Sequence, residues 1–184
     1  MAAFDSNECA NSTLALQNDM LILLQTAKHS DVTFSVQGEK LRAHKGILAT
    51  RCDYFSKMFD SSVYESSSNE VEVKDAKPEV FGGMLHYLYT NMLPNNYNHI
   101  ALDLLVLADK YCLEQLKKIC ESSAPLNALN VTDALLVADQ VGSSRLMARS
   151  KVVFQKNFDA IEISENFEDN PDLVLKLLSL HIRN

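Results

Sequence analysis

The chain has 184 residues, 47% of them hydrophobic, with only 5 Gly and 4 Pro. This composition can supply a sizeable core and argues against long disordered tracts. The net charge of −7 argues against nucleic-acid partners, which select for a concentrated basic face. No apolar run reaches the roughly 18 residues of a membrane span, so we expect no membrane partner either.

Four cysteines are spread along the chain and none forms a Cys-x-x-Cys pair: Cys9, Cys52, Cys112 and Cys120. Apolar neighbours surround them, as is typical of reduced core thiols in an intracellular protein. We therefore expect the protein in the nucleus, the cytoplasm or both.

The first 13 residues are polar and small, which predicts a disordered N-terminus. From residue 14, apolar residues recur at helical spacing and predict a one-sided helix: Leu16, Met20, Leu23 and Leu24. Val32, Phe34 and Val36 alternate with polar residues and predict a half-buried strand. A turn at 37–39 leads to a second strand over 40–43.

Two short helices follow, with a break at 50–53, and then a polar loop over 61–69. Val71 and Val73 indicate a third strand. Pro78 is suited to the first position of a strong helix, which closes near Asn91. From residue 100 onward the pattern predicts helix pairs, with a boundary at 122–125, a last amphipathic helix over 171–182 and no internal repeat of fixed period.

Chemistry-bearing patterns are missing from the sequence. The five histidines are far apart, and none has a His or Cys at metal-ligand spacing. Arg51 beside Cys52 could lower the thiol pKa, but a packing role is favoured. His44 could act as a base, but a core histidine bonded to a carboxylate such as Asp31 is favoured. We expect no catalytic residue, no metal, no cofactor and no enzyme activity.

Four short runs in fixed order carry a family resemblance: Asp-Val-Thr-Phe at 31–34, Ala-His-Lys-Gly-Ile-Leu-Ala at 43–49, Phe-Ser-Lys-Met-Phe at 55–59 and Leu-Tyr-Thr at 88–90. Together they resemble a BTB/POZ domain over residues 14–122. The runs at 78–81 and 108–111 make it most similar to the speckle-type POZ adaptors. Asn91 stands where the family usually has Gly, and Asn tolerates the left-handed conformation that such a turn requires.

The resemblance implies an α+β fold, a small three-stranded sheet flanked by helices, followed by an all-helical extension over 126–184. That extension resembles a three-box or partial BACK region. BTB domains of this kind homodimerise, and the resemblance places the dimer interface at Leu16, Met20, Leu23 and Ile47. An alternative is that the first helix folds back onto its own domain.

The resemblance also implies a cullin-3 contact in the loop before the third strand, where Val63-Tyr64-Glu65 fits an apolar-x-Glu motif beside Phe59. The same pattern occurs at Ile119 and Ile163, so position carries the interpretation. An apolar side chain in a polar loop could serve as an interface anchor. The alternative is that Val63 packs onto Phe59.

The function implied is a dimeric substrate adaptor of a cullin-3 RING ubiquitin ligase, which binds the cullin-3 N-terminal domain and an unknown substrate protein. The alternative is a BTB homodimer in transcriptional regulation that recruits corepressor peptides. Such a protein uses a charged pocket, and Asp31 and Lys45 fall at its positions. A third option is an ion-channel assembly domain, which would usually form tetramers.

Overall fold

The computed structural model describes residues 6–61 and 69–161. Within these ranges the chain forms three strands: β1 (Val32–Val36), β2 (Glu39–Ala43) and β3 (Glu70–Val73). The helices there are α1 (Ser6–Thr26), α2 (Lys45–Arg51), α3 (Asp53–Phe59), α4 (Pro78–Thr90), α5 (Tyr97–Lys110), α6 (Glu114–Ser123), α7 (Val131–Gln140) and α8 (Ser144–Lys156), and a 3-10 turn (Phe158–Ala160) follows α8. This α+β arrangement confirms the predicted fold class.

The three strands form one sheet in the order β2-β1-β3. β1 pairs antiparallel with β2 through a two-residue turn, in which Gln37 and Gly38 both have positive φ, at 49° and 87°. Turns of this handedness match the twist of the flanking strands. β3 lies parallel to β1, and Phe34 is opposite Val71. The predicted alternation in β1 is confirmed, because Val32, Phe34 and Val36 are all buried.

Aromatic rings form the centre of the core beneath this sheet. The Phe34 ring centroid lies 5.6 Å from that of Phe55 on α3 and 4.9 Å from that of Phe81 on α4. The Phe55 ring stacks on that of Tyr111 at 5.1 Å. Offset and edge-to-face ring pairs at such distances stabilise a core beyond their buried area. Burial raises the pKa of Tyr111 far above its usual range, so its phenol stays neutral.

The first helix differs from the prediction. α1 begins at Ser6, whereas the sequence predicted disorder over 1–13 and a helix only from 14. The first two turns lack an apolar stripe, which is why periodicity did not reveal them. α1 packs against α4, and the Gln17 side-chain amide donates to the Thr90 carbonyl at 2.9 Å.

The described residues fall into two compact units, one with 6–61, 69–100 and 110–113 and the other with 101–109 and 114–161. In the second unit, α7 and α8 share a cluster of buried side chains, Val131, Leu135 and Phe154. Phe158 and Ile161 pack on that cluster. No helix among the described residues is long and apolar enough to cross a membrane.

A 30-residue correspondence relates the helix pair α5–α6 to the pair α7–α8. Residue Cys112 in the first turn and Gly142 in the second both have positive φ, at 55° and 65°. Leu105 and Leu116 correspond to Leu135 and Leu146, and all four are fully buried. The expectation of no fixed-period repeat was therefore wrong, and the two pairs are variants of one helical hairpin.

Two cations in the second unit bind the carbonyl ends of its helices. The Arg149 guanidinium of α8 donates to the carbonyls of Glu121 and Ala124, at 2.8 Å and 2.7 Å. The Lys117 ammonium of α6 donates to the Val141 carbonyl at 3.1 Å and to the Asp109 carboxylate at 2.5 Å. The hydrogen bond to Asp109 raises the pKa of Lys117. Cations at helix C-termini satisfy orphan carbonyls and complement the helix dipole.

Candidate protein-interaction site

Helix α1 carries three large apolar side chains that are exposed to solvent. Leu14, Leu16 and Ile22 are 50%, 62% and 55% exposed. Of the predicted dimer residues, Leu16 is thus open to solvent, while Met20, Leu23 and Ile47 are half-buried within the chain itself. The side chains predicted to form the dimer interface are thus partly packed against their own domain. Sequence periodicity did not single out Leu14 or Ile22.

The predicted charged pocket is held together by hydrogen bonds at the start of α2. The Asp31 carboxylate accepts from the Lys45 backbone N–H at 2.7 Å. The Lys45 ammonium donates to the Asn69 side-chain carbonyl at 2.9 Å and lies 6.0 Å from the centroid of the Phe59 ring. The structure therefore brings Asp31, Lys45 and Phe59 to one place. Sequence reasoning missed Asn69, which lies 24 positions beyond Lys45.

The predicted cullin motif, Val63-Tyr64-Glu65, lies outside the described residues. Its neighbours on both sides are placed. Phe59, at the end of α3, is half-buried and stacks on Phe55 at 6.0 Å. Asn69, just before β3, accepts from the Thr33 N–H at 2.8 Å. The motif is thus flanked by one aromatic residue packed on the core and one residue fixed to the sheet.

His44 has different partners from the carboxylate that the sequence suggested. Its Nε2 lies 2.6 Å from the Lys28 carbonyl oxygen and its Nδ1 lies 2.7 Å from the Tyr89 hydroxyl. A carbonyl only accepts, so Nε2 carries the proton and Nδ1 accepts from the tyrosine. Burial raises the pKa of Tyr89 to about 12, which keeps the hydroxyl available as a donor. The same hydroxyl accepts from the His44 N–H at 2.8 Å.

Cys52 is a buried packing thiol. Its Sγ–H donates to the Tyr111 carbonyl at 3.4 Å. Burial is the main cause that raises its pKa, so its thiol is protonated in the folded protein and becomes a nucleophile only after it loses that proton. The neighbouring Arg51 binds elsewhere: its guanidinium donates to the Leu88 carbonyl and to the Asn91 side-chain carbonyl.

Asn91 terminates α4 in the left-handed conformation, with φ 57° and ψ 21°, as its sequence position predicted. Its backbone N–H donates to the Tyr87 carbonyl at 2.8 Å. Its side chain accepts from Arg51 at 2.9 Å, a bond that glycine could not provide. Arg51 and Asn91 thus join the end of α2 to the end of α4.

Metal chemistry has no candidate centre in this structure: across 6–61 and 69–161, no group of three or more His, Cys, Asp or Glu side chains could hold a metal ion. The described residues offer instead two features that suit protein contacts, namely the exposed apolar side chains of α1 and the hydrogen-bonded pair Asp31 and Lys45. The chain also matches known proteins.

The protein-family model of the BTB/POZ domain matches residues 21–128. The chain belongs to the BTB/POZ domain family. BTB domains are protein-interaction modules that typically homodimerise, and they are generally not enzymes. The matched region of this BTB protein contains the last part of α1, the sheet and helices α2 to α6, while α7 and α8 lie beyond it.

Two solved BTB domains are similar to part of this chain. The BTB domain of zebrafish PATZ1 is 23% identical, with a TM-score of 0.49, and the match covers 66% of this chain and 95% of that one. The BTB domain of human gigaxonin is also 23% identical, with a TM-score of 0.46, and the match covers 65% of this chain and 93% of that one.

Proposed function

We propose that this BTB protein is a dimeric substrate adaptor of a cullin-3 RING ubiquitin ligase. The observation that carries the proposal is the α7–α8 hairpin, which directly follows the residues matched by the BTB family. This hairpin corresponds to the extension that the sequence likened to a three-box or partial BACK region. Such an extension adds contact area to a cullin-binding surface. A protein that only recruits peptides to a BTB pocket has no need of it.

The α7–α8 hairpin is joined to α6 by side-chain hydrogen bonds. Arg149 of α8 binds the carbonyl end of α6, and Lys117 of α6 binds the carbonyl end of α7. These reciprocal bonds fix α7–α8 against the last helix of the family match, within the second unit. A fixed extension loses little conformational entropy on binding, which favours affinity.

The proposed cullin contact is Val63-Tyr64-Glu65 together with Phe59. Val63 would insert into an apolar pocket of the cullin, and Glu65 would form a hydrogen bond at the rim. Because Phe59 already stacks on Phe55, we assign it a supporting role in this contact. The motif itself remains a proposal.

We assign the dimer contact to α1, with Leu16, Met20, Leu23 and Ile47 as its members. Support comes from the exposed apolar side chains of that helix, which a two-fold partner would cover. Leu16, the most exposed of the four, is expected to contribute most. The other three share their area between the partner and their own domain.

The corepressor alternative has weaker support. It requires Asp31 and Lys45 to be open to an incoming peptide, yet Asp31 binds the Lys45 N–H and Lys45 binds Asn69. A peptide would have to replace these bonds. The substrate protein of the adaptor remains unknown.

The test is titration calorimetry of the chain against the cullin-3 N-terminal domain, with light scattering on the same samples. We expect one cullin per chain on a dimer. The double variant Val63→Asp/Glu65→Lys should weaken binding at least tenfold, about 1.4 kcal/mol, and leave the dimer intact.

The matched control is Ile163→Asp/Glu165→Lys, because residues 163–165 fit the same apolar-x-Glu pattern elsewhere in the chain. It should bind like the parent. Equal losses of cullin affinity in the two variants would contradict the assignment of residues 63–65 as the cullin contact. A clean dimer that gives no heat with cullin would instead favour the corepressor alternative.

A further inference from the structure

Two cysteines lie near each other in the first compact unit. Cys52 lies buried between α2 and α3, and its Sγ–H donates to the carbonyl of Tyr111 at 3.4 Å. Tyr111 is bonded to Cys112, whose side chain is exposed in the turn between α5 and α6. A buried thiol and an accessible thiol are thus separated by a single peptide unit and one hydrogen bond.

This contact limits how far apart the two residues can be. The 3.4 Å hydrogen bond, extended at each end by about 2.8 Å of standard covalent geometry, places the two Cα atoms at most roughly 9 Å apart. Disulfides form at Cα separations of about 4.4–6.8 Å. A shift of about 2 Å or less in the exposed turn would bring the two Cα atoms to the upper end of that range.

Burial is the main cause of the raised pKa of Cys52. The Cys52 thiol is therefore protonated while it is buried. The burial of Cys52 also sets the order of events, because only Cys112 is exposed to a reagent from solvent.

The turn is also an unusual place for a side chain. Cys112 has φ 55°, and its counterpart in the second hairpin, Gly142, has φ 65°. A non-glycine residue in this region costs roughly 1–2 kcal/mol. Cys112 therefore bears a strain that Gly142 avoids, which makes the α5–α6 turn the easier of the two to displace.

We propose that Cys112 and Cys52 are an oxidisable pair that forms an intramolecular disulfide by exchange with a small disulfide such as glutathione disulfide. The Cys112 thiolate attacks one sulfur of glutathione disulfide, the S–S bond of the reagent breaks, and one glutathione thiolate leaves. Cys52 then loses its proton to water and attacks the Cys112 sulfur. A Cys52–Cys112 bond forms and the second glutathione leaves as a thiolate, so two protein thiols are oxidised and one glutathione disulfide is reduced.

The bond would join the α2–α3 junction to the α5–α6 turn. Cys52 joins the two helices there, because its N–H donates to the Leu48 carbonyl of α2 and its carbonyl accepts from the Ser56 N–H of α3. Fixing this residue to Cys112 would restrict the movement of α3, the helix that leads into residues 62–68. The pair acts independently of any cullin contact.

The test incubates the folded full chain with glutathione disulfide, blocks the remaining thiols by alkylation, and measures intact mass and disulfide-linked peptides. We expect two fewer alkylated thiols, one linked peptide pair that contains Cys52 and Cys112, and full reversal by a reducing agent. Cys112→Ser should reduce the linked fraction at least tenfold. Cys9→Ser, the matched control, should leave it unchanged.

Circular dichroism before and after oxidation shows whether the chain stays folded. A stable glutathione adduct on Cys112 with a free Cys52 thiol would overturn the proposal. Linkage that appears only in denaturant, or that joins Cys112 to Cys9 or Cys120, would overturn it as well.

Discussion

Arg149 offers the sharpest test of how the helical hairpins are joined. Its guanidinium satisfies two carbonyls at the end of α6, those of Glu121 and Ala124. Hydrogen bonds to a charged donor contribute about 1.5–3 kcal/mol each, and the half-buried setting places these two near the lower end. Replacing Arg149 by Met keeps most of the apolar stem and removes both bonds, so we expect a loss of about 2–3 kcal/mol.

Two measurements check this expectation. Urea unfolding followed by circular dichroism gives the change in the free energy of unfolding. Hydrogen exchange of the α6 and α8 amides reports local opening, which should accelerate by roughly 30- to 150-fold at 1.4 kcal/mol per tenfold. Arg149→Lys should recover about half of the loss, because one ammonium lacks the planar fork. A free energy of unfolding of the Met variant within about 0.5 kcal/mol of the parent value would refute the reasoning. Equal stability of the Lys and Met variants would refute it as well.

Three further substitutions follow from the structure. Leu16→Asp should give monomers in light scattering while the helix content stays unchanged. If that variant stays dimeric and only Ile22→Asp gives monomers, the interface lies on the other side of α1. Ser150 is fully buried and its hydroxyl has no hydrogen-bond partner among the described residues, so Ser150→Ala should raise the free energy of unfolding by about 1 kcal/mol; a loss of stability would show that the hydroxyl is satisfied. Asn91→Ala should lower the free energy of unfolding, measured with urea, by about 1–2 kcal/mol, because alanine is strained in the left-handed conformation. Asn91→Gly should lower it less, because that variant loses only the bond to Arg51. Equal stability of the two variants would contradict the role of backbone strain.

Local signals predicted the fold well where they were strong. The alternation of Val32, Phe34 and Val36 identified β1, because strand periodicity depends on neighbouring residues that the sequence displays directly. The left-handed end of α4 at Asn91 was predicted from the family resemblance, in which Gly usually stands at that position. The ordered family motifs supplied the BTB assignment, which the family match confirms.

The partners of side chains were harder to predict, because they depend on tertiary contacts. The hydroxyl that binds His44 belongs to Tyr89, 45 positions away, so the nearby Asp31 was the natural but wrong candidate. The role of Arg149 was not predicted, because nothing in its own helix reveals the carbonyls of α6 that it binds. The hairpin correspondence is short but visible in the sequence, where the run at 103–109 recurs at 133–139 with four identical residues. The positive φ of Cys112 and Gly142 adds to it.

The domain boundaries remain a proposal, and the placement of Arg149 bears on how the protein should be cut. The sequence suggested a BTB domain that ends at residue 122, yet the acceptors of Arg149 are Glu121 and Ala124, on either side of that point. A fragment trimmed there would lose the residue that closes α6 and would leave that helix end to fray. Limited proteolysis should therefore spare the 124–127 connection. A recombinant protein that ends after α8 should become sensitive to proteases at this connection only when Arg149 is replaced.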